Sequence, residues 1–82
     1  MHEIVNDPVD VLVSFFENRI IPKRIRWNRR TYEIKKINLI HTSREGAKRL
    51  FYFSVSDALH SFKLRLDTDT LEWRLMEAYA DG

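Results

Sequence analysis

Apolar and polar residues alternate along most of the chain from residue 24 onward, with the period of two that is typical of β-strands. Ile25 and Trp27 share one face of a first strand, and Arg24 and Arg26 share the other. Five further segments continue the alternation. Their inward side chains are expected to be Tyr32 and Ile34; Ile37, Leu39 and His41; Phe51, Phe53 and Val55; Phe62, Leu64 and Leu66; and Leu71, Trp73 and Leu75.

Short polar segments separate these strands and predict tight turns. Asn28-Arg29 fits a two-residue hairpin turn, and Gly46 can supply a left-handed backbone in the turn at 43–47. Residues 67–70 form a polar turn in which Asp side chains are expected to bond their own backbone. The parity of the inward residues changes after Lys35-Lys36, which predicts a β-bulge there.

The segment before Pro22 is open to two interpretations. As a strand it places Val9, Val11, Val13 and Phe15 on one face, and its valines favour that structure. As a helix it has Asp7 as a cap and Pro8 in the first turn. We favour the strand.

Together these patterns predict an all-β fold, a small antiparallel meander or SH3-like barrel of five to six strands. The alternative is an α+β fold in which an N-terminal helix packs on an open sheet. At 82 residues the chain predicts a single domain over residues 1–82, in which residues 1–7 could be disordered.

The composition limits which kinds of site and which cellular compartments are expected. The chain has no cysteine, so disulfides, thiolate metal sites and cysteine nucleophiles are excluded. The N-terminus lacks the basic start and apolar run of a signal peptide, and no apolar stretch is long enough to cross a membrane. We therefore expect a cytoplasmic protein without membrane association.

The net charge of +2 conceals one strongly basic segment. Residues 19–36 contain eight Lys and Arg residues but only one acid, Glu33. A cluster of this kind on a folded hairpin creates a positive field that suits phosphate groups. The predicted nucleic-acid-binding residues are Lys23, Arg24, Arg26, Arg29, Arg30, Lys35 and Lys36. The competing interpretation is a solvated face whose cations pair with Glu72 and Glu77 of the acidic C-terminal segment.

The spacing of aromatic and turn residues resembles that of a family of small, uncharacterised bacterial proteins. The residues that carry the resemblance are Pro22, Ile25, Trp27, Arg30, Tyr32, Ile34, Arg49, Phe51, Tyr52, Phe53, Phe62, Leu64, Asp67, Thr70, Trp73, Leu75 and Tyr79. The family has a Pro-x-x-Phe-x-Trp-x-Gly-Arg-x-Tyr core and a closing Trp-x-Leu strand, and some members are encoded near translesion DNA polymerases. The resemblance covers roughly residues 20–80 and implies an association with DNA repair.

No arrangement of residues predicts catalysis or metal binding. His2, His41 and His60 lie far apart in sequence, so a metal site with three or four converging ligands is not expected. Ser54, Asp57 and His60 supply the residue types of a hydrolytic triad, but they fall within one short segment without a nucleophile elbow. We expect a protein without enzymatic activity and without a cofactor.

Most aromatic residues fall at inward positions, which indicates core packing. Phe15, Phe16 and Tyr52 have no obvious place in so thin a core. If they are exposed, they predict a protein partner or a homodimer. Two functions follow from the sequence: a binding module for DNA or RNA that uses the basic hairpin, and a protein-interaction or self-associating adaptor.

Overall fold

The computed structural model describes residues 1–80, so the domain boundary predicted at residue 82 lies outside the described residues. These residues form eight antiparallel strands and no helix. The strands are β1 (His2–Pro8), β2 (Asp10–Phe16), β3 (Arg19–Trp27), β4 (Arg30–Glu33), β5 (Lys36–Glu45), β6 (Lys48–Ser56), β7 (His60–Asp67) and β8 (Trp73–Ala80). The predicted all-β class is confirmed.

Eight strands exceed the five to six predicted, and they are arranged in two sheets. The larger sheet has the order β1-β8-β7-β6-β5, and the smaller has the order β2-β3-β4. The segment before Pro22 forms β2 and the first part of β3, so the alternative with an N-terminal helix is wrong. Residues 2–8, which the alternation leaves outside the strands, pair with β8. No helix in the described chain could span a membrane.

The chain passes between the two sheets at two corners. At the first corner, the Val9 amide still donates to the Trp73 carbonyl of β8 in the larger sheet. The next residue, Asp10, already lies opposite Arg26 of β3 in the smaller sheet. At the second corner the Ile34 amide donates to Lys23, and the next amide, that of Lys35, donates to Ser56 of the larger sheet. The smaller sheet is therefore tied to both edges of the larger one.

The core lies between the sheets and is drawn mainly from β6, β7 and β8. The fully buried apolar side chains that pack together are Ile25, Phe53, Val55, Phe62, Leu64, Leu66 and Leu75. All seven stand at predicted inward positions. Ile25 is the contribution of the smaller sheet, and half-buried Trp27 and Tyr32 pack beside it. Burial of a side chain of this size contributes about 1.5–3 kcal/mol.

Three residues predicted to face inward are exposed. A register shift between Ile37 and Leu39 places a bulge at Asn38, two residues after Lys36, so that Leu39 pairs with Ser54. Leu39 and His41 consequently point away from the core, and Leu39 is 61% exposed. Leu71 is 72% exposed because it belongs to the turn before β8 and has a left-handed backbone. These three predictions were wrong.

Candidate nucleic-acid interface

The basic hairpin is β3 joined to β4 by the predicted two-residue turn. Asn28 and Arg29 both have positive φ, 53° and 63°, which is the signature of a type I′ turn. The turn fixes the register, in which Trp27 lies opposite Arg30 and Arg24 lies opposite Glu33. Arg29 is therefore held at the exposed tip of the hairpin, on a backbone that an arginine rarely adopts.

Arg24 and Arg26 share the outer face of the smaller sheet, as the sequence predicts. Both face acids on neighbouring strands. The Arg24 Nε donates to the Glu33 Oε1 at 2.7 Å, and Asp10 of β2 lies directly opposite Arg26. This face is therefore close to electrically neutral, which leaves little attraction for a polyanion.

The remaining predicted residues lie elsewhere. Arg30 stands opposite Trp27 and so belongs to the other face of the smaller sheet. Lys23 is the extra residue at the register shift between β2 and β3. Lys35 and Lys36 follow the second corner and pair with Ser56 in the larger sheet. The seven residues are thus divided among several surfaces and do not form one continuous face.

Among residues 1–80, Arg24 is the only one of the seven that makes an ion pair. Within residues 1–80, no carboxylate lies within 4.0 Å of the charged nitrogens of the other six, and all seven side chains are exposed. Glu72 and Glu77, the acids expected to neutralise them, are engaged with other residues. Glu72 pairs with Arg74, and Glu77 accepts from His2 at 2.8 Å and lies 3.6 Å from Lys63. The predicted pairing with the hairpin is wrong.

A groove at the first corner contains one of the seven predicted cations, Arg26. It has a volume of about 650 Å³ and follows the first corner, where Asp7, Asp10 and Glu72 line it together with Arg26. The Trp27 Nε1 donates to the Asp7 Oδ2 at 3.2 Å across one end of this groove. Arg26 thus shares its groove with three acids. By contrast, Glu33 is the one acid among the residues of β4 and of the corner that follows it.

Four of the seven cations lie near the two ends of β4. Arg29 and Arg30 stand at the start of β4, and Lys35 and Lys36 stand just beyond its end. We call these four residues the basic edge, because β4 is an outer strand of the smaller sheet and pairs only with β3. Lys35 lies five residues after Arg30, and the last two of these five pass through the second corner.

The outer face of the larger sheet carries a second groove, of about 560 Å³, which the sequence does not predict. Leu39, His41, Tyr52 and Lys63 line it from three adjacent strands. The Lys63 Nζ lies 5.8 Å from the centre of the Tyr52 ring, and the His41 and Tyr52 rings are 6.1 Å apart. The bulge at Asn38 turns Leu39 and His41 toward this groove, and the alternation gives no signal for its position.

Within the described chain, no group of three or more His, Asp or Glu side chains is arranged to hold a metal ion. His60 does contact an acid: its Nδ1 lies 3.2 Å from the Asp57 Oδ1. The same oxygen accepts from the amides of Leu59 and His60, and these bonds hold the pKa of Asp57 below its usual value despite the opposing effect of burial. The contact therefore closes the β6–β7 turn.

Comparison with known proteins gives no match to a family model, to a curated protein or to a solved structure.

Proposed function

We propose that this protein binds the phosphate backbone of a nucleic acid through the basic edge. The proposal is based on the exposure of the four cations of the basic edge and on their lack of acidic partners. Arg29, Arg30, Lys35 and Lys36 are exposed, and none has a carboxylate partner within 4.0 Å among residues 1–80. The one acid on β4, Glu33, already accepts from Arg24.

Unpaired cations along a strand edge suit contacts to phosphates better than contacts to bases. Phosphate contacts position a protein on a nucleic acid without reading its sequence, and they release condensed counterions. The expected binding is therefore weakly sequence-dependent and strongly salt-dependent. DNA is the first ligand to test, because the sequence pattern of residues 20–80 raises the expectation of an association with DNA repair.

Substitution of Arg29 tests the proposal without risk to the fold. Glycine adopts the left-handed backbone of this position without strain, so Arg29→Gly is expected to stabilise the hairpin while it removes one cation. Affinity for labelled single- and double-stranded 20-mers is measured by fluorescence anisotropy between 50 and 200 mM salt. We expect weaker binding and a fall in the logarithmic salt slope of about 0.7 for single strands or 0.9 for duplexes.

Arg19→Gln is the matched control. Arg19 is an exposed arginine at the other end of β3, 3.7 Å from Glu17, and its loss changes the net charge by the same amount. The control should leave the salt slope unchanged. The proposal is wrong if the unmodified protein does not bind at 50 mM salt, or if Arg19→Gln weakens binding as much as Arg29→Gly does.

A second candidate function is self-association, and it has its own structural support. Phe15 and Phe16 are 77% and 58% exposed near the tip of the β2–β3 hairpin, and β2 has a free edge. Antiparallel pairing of two copies of β2 about Val13 would place Asp10 of one copy opposite Phe16 of the other. The cross-strand neighbour of Phe16 on its other side is Arg19, so this register places Asp10 and Arg19 two strands apart, at about 10 Å, on the same face.

A further inference from the structure

Two arginines face each other near the end of the β5–β6 hairpin. Arg44 of β5 and Arg49 of β6 are directly opposite in the register, and both are exposed. Like charges at directly opposite positions on neighbouring strands destabilise a sheet, and opposite charges stabilise it. A pair of this kind therefore has an energetic cost that a bound anion would relieve.

No carboxylate offsets this repulsion. Within residues 1–80, no acidic side chain lies within 4.0 Å of either guanidinium group. The nearest acid in the register, Glu45, lies opposite Lys48, and strand alternation directs it to the other face. Lys48 is itself 3.0 Å from Asp67. The acids and the lysine at this end of the sheet are thus placed away from the two arginines.

The two side chains line the same open groove, which has a volume of about 310 Å³. Its other lining residues are Thr42, Ser43 and Phe51. Thr42 stands two residues before Arg44 and so shares its face, where its hydroxyl can donate a hydrogen bond to an anion. Arginine presents a planar fork of donors that matches the oxygens of phosphate. The groove therefore offers two bidentate cations and one hydroxyl donor beside one aromatic side chain.

We infer that Arg44 and Arg49 form a clamp for a phosphate group. The phosphate supplies the negative charge that the paired arginines lack, and the Thr42 hydroxyl donates to one of its remaining oxygens. The group can belong to a nucleic-acid backbone or to a terminal or inorganic phosphate. The clamp is independent of the proposed function, because it lies at the end of β5 that is opposite to Lys36.

Charge reversal at Arg44 separates a binding role from a structural one. Arg44→Glu exchanges a repulsive cross-strand pair for an attractive one, so the fold should become more stable while binding is lost. We propose titration of the ¹⁵N-labelled protein with inorganic pyrophosphate, with a 5′-phosphorylated dT10 and with unphosphorylated dT10. Localised shifts are expected at the side-chain Nε–H groups of Arg44 and Arg49 and at the amides of Thr42 and Ser43, with at least tenfold weaker binding in Arg44→Glu.

Lys35→Glu is the control, because it makes the same charge change on the basic edge. It should leave the pyrophosphate response at Arg44 and Arg49 intact, even where it weakens binding of the oligonucleotides. Response to both oligonucleotides identifies a backbone ligand, and response to pyrophosphate and the 5′-phosphorylated strand alone identifies a terminal phosphate. The clamp is refuted if no ligand shifts these residues selectively, if Arg44→Glu binds as well as the unmodified protein, or if Arg44→Glu destabilises the fold.

Discussion

Left-handed backbone conformations are unusually frequent in this chain at residues other than glycine. Within residues 1–80 they occur at Asn6, Glu17, Asn18, Asn28, Arg29 and Leu71. The sequence contains only two glycines, so other residues must occupy the tight turns that antiparallel strands require. Asparagine tolerates this conformation, whereas a side chain such as leucine is strained there by about 1–2 kcal/mol.

Leu71 is the position at which this strain is easiest to relieve. Its φ is 64° and its side chain is 72% exposed, so little packing is lost on truncation. Leu71→Gly is expected to stabilise the protein by about 0.5–1 kcal/mol, since the removed strain exceeds the entropic cost of glycine. Thermal unfolding should show a melting temperature about 2–6 °C higher. Leu59→Gly, at an exposed leucine without positive φ, should lower it.

Asp67 is the polar residue on which the β7–β8 turn depends. It is only 7% exposed, its Oδ1 accepts from the amides of Asp69 and Thr70, and its Oδ2 lies 3.0 Å from the Lys48 Nζ. The predicted Asp–backbone bonds of this turn are therefore confirmed. The bond from Lys48, together with these amides, holds the pKa of Asp67 below its ordinary value of 3.8.

This lowered pKa predicts a pH dependence with a definite sign. The carboxylate is favoured in the folded state, so its stabilisation is complete above the ordinary value and is lost as the pH falls through the lower, folded-state pKa. Asp67→Asn should lower the melting temperature at pH 6, and the difference from the unmodified protein should shrink as the pH falls below 3.8. Asp69→Asn, at an exposed neighbour, should show neither effect. A constant difference from pH 6 to pH 2.5 would contradict this assignment.

At the scale of the elements, β2 and β6 differ most clearly in how they are paired and how far their apolar side chains are buried. Strand β6 pairs with a strand on each side and contributes Phe53 and Val55, which are 1% and 0% exposed. Strand β2 pairs only with β3, and its last residues carry two exposed phenylalanines. An apolar edge strand of this kind is a surface on which another chain can pair.

If the protein associates through β2, removal of the two exposed phenylalanines should lower its mass in solution and leave its free energy of unfolding almost unchanged. The double variant Phe15→Ser with Phe16→Ser should unfold within about 1 kcal/mol of the unmodified protein, because both rings are largely exposed. Light scattering should show a dimer for the unmodified chain and a 9.9 kDa monomer for the variant. Leu39→Ser, at a similarly exposed residue of β5, should leave the dimer intact. A monomeric unmodified protein would exclude this function.

At the scale of the whole molecule, alternation predicted most of the strands and the core, but it missed β1 and the arrangement of the strands in two sheets. The period of two identifies Phe53, Val55, Phe62, Leu64, Leu66 and Leu75 as inward because one face of each strand is buried. The same reasoning fails at Leu39, where the bulge at Asn38 reverses the facing of later residues and leaves no mark in composition. A bulge depends on the partner strand, which local sequence does not specify.

Prediction of the site was limited by the same cause. The sequence correctly placed Arg24 and Arg26 on one face, but their partners Glu33 and Asp10 depend on strand register. Counting charges over residues 19–36 therefore overestimates the free positive surface of the hairpin. The register of β5 with β6 likewise places Arg44 opposite Arg49. A turn separates these two residues in the chain, so the sequence alone does not predict that they are neighbours.

The pairing of β1 with β8 determines how this chain can fold. His2 lies opposite Tyr79, so the larger sheet is completed only when segments more than seventy residues apart meet. The hairpins β2–β3, β3–β4, β5–β6 and β6–β7 each close over a few residues and carry a much smaller loop entropy. We therefore expect local ribbons to assemble early and the first strand to dock last, as the slow step that topology imposes.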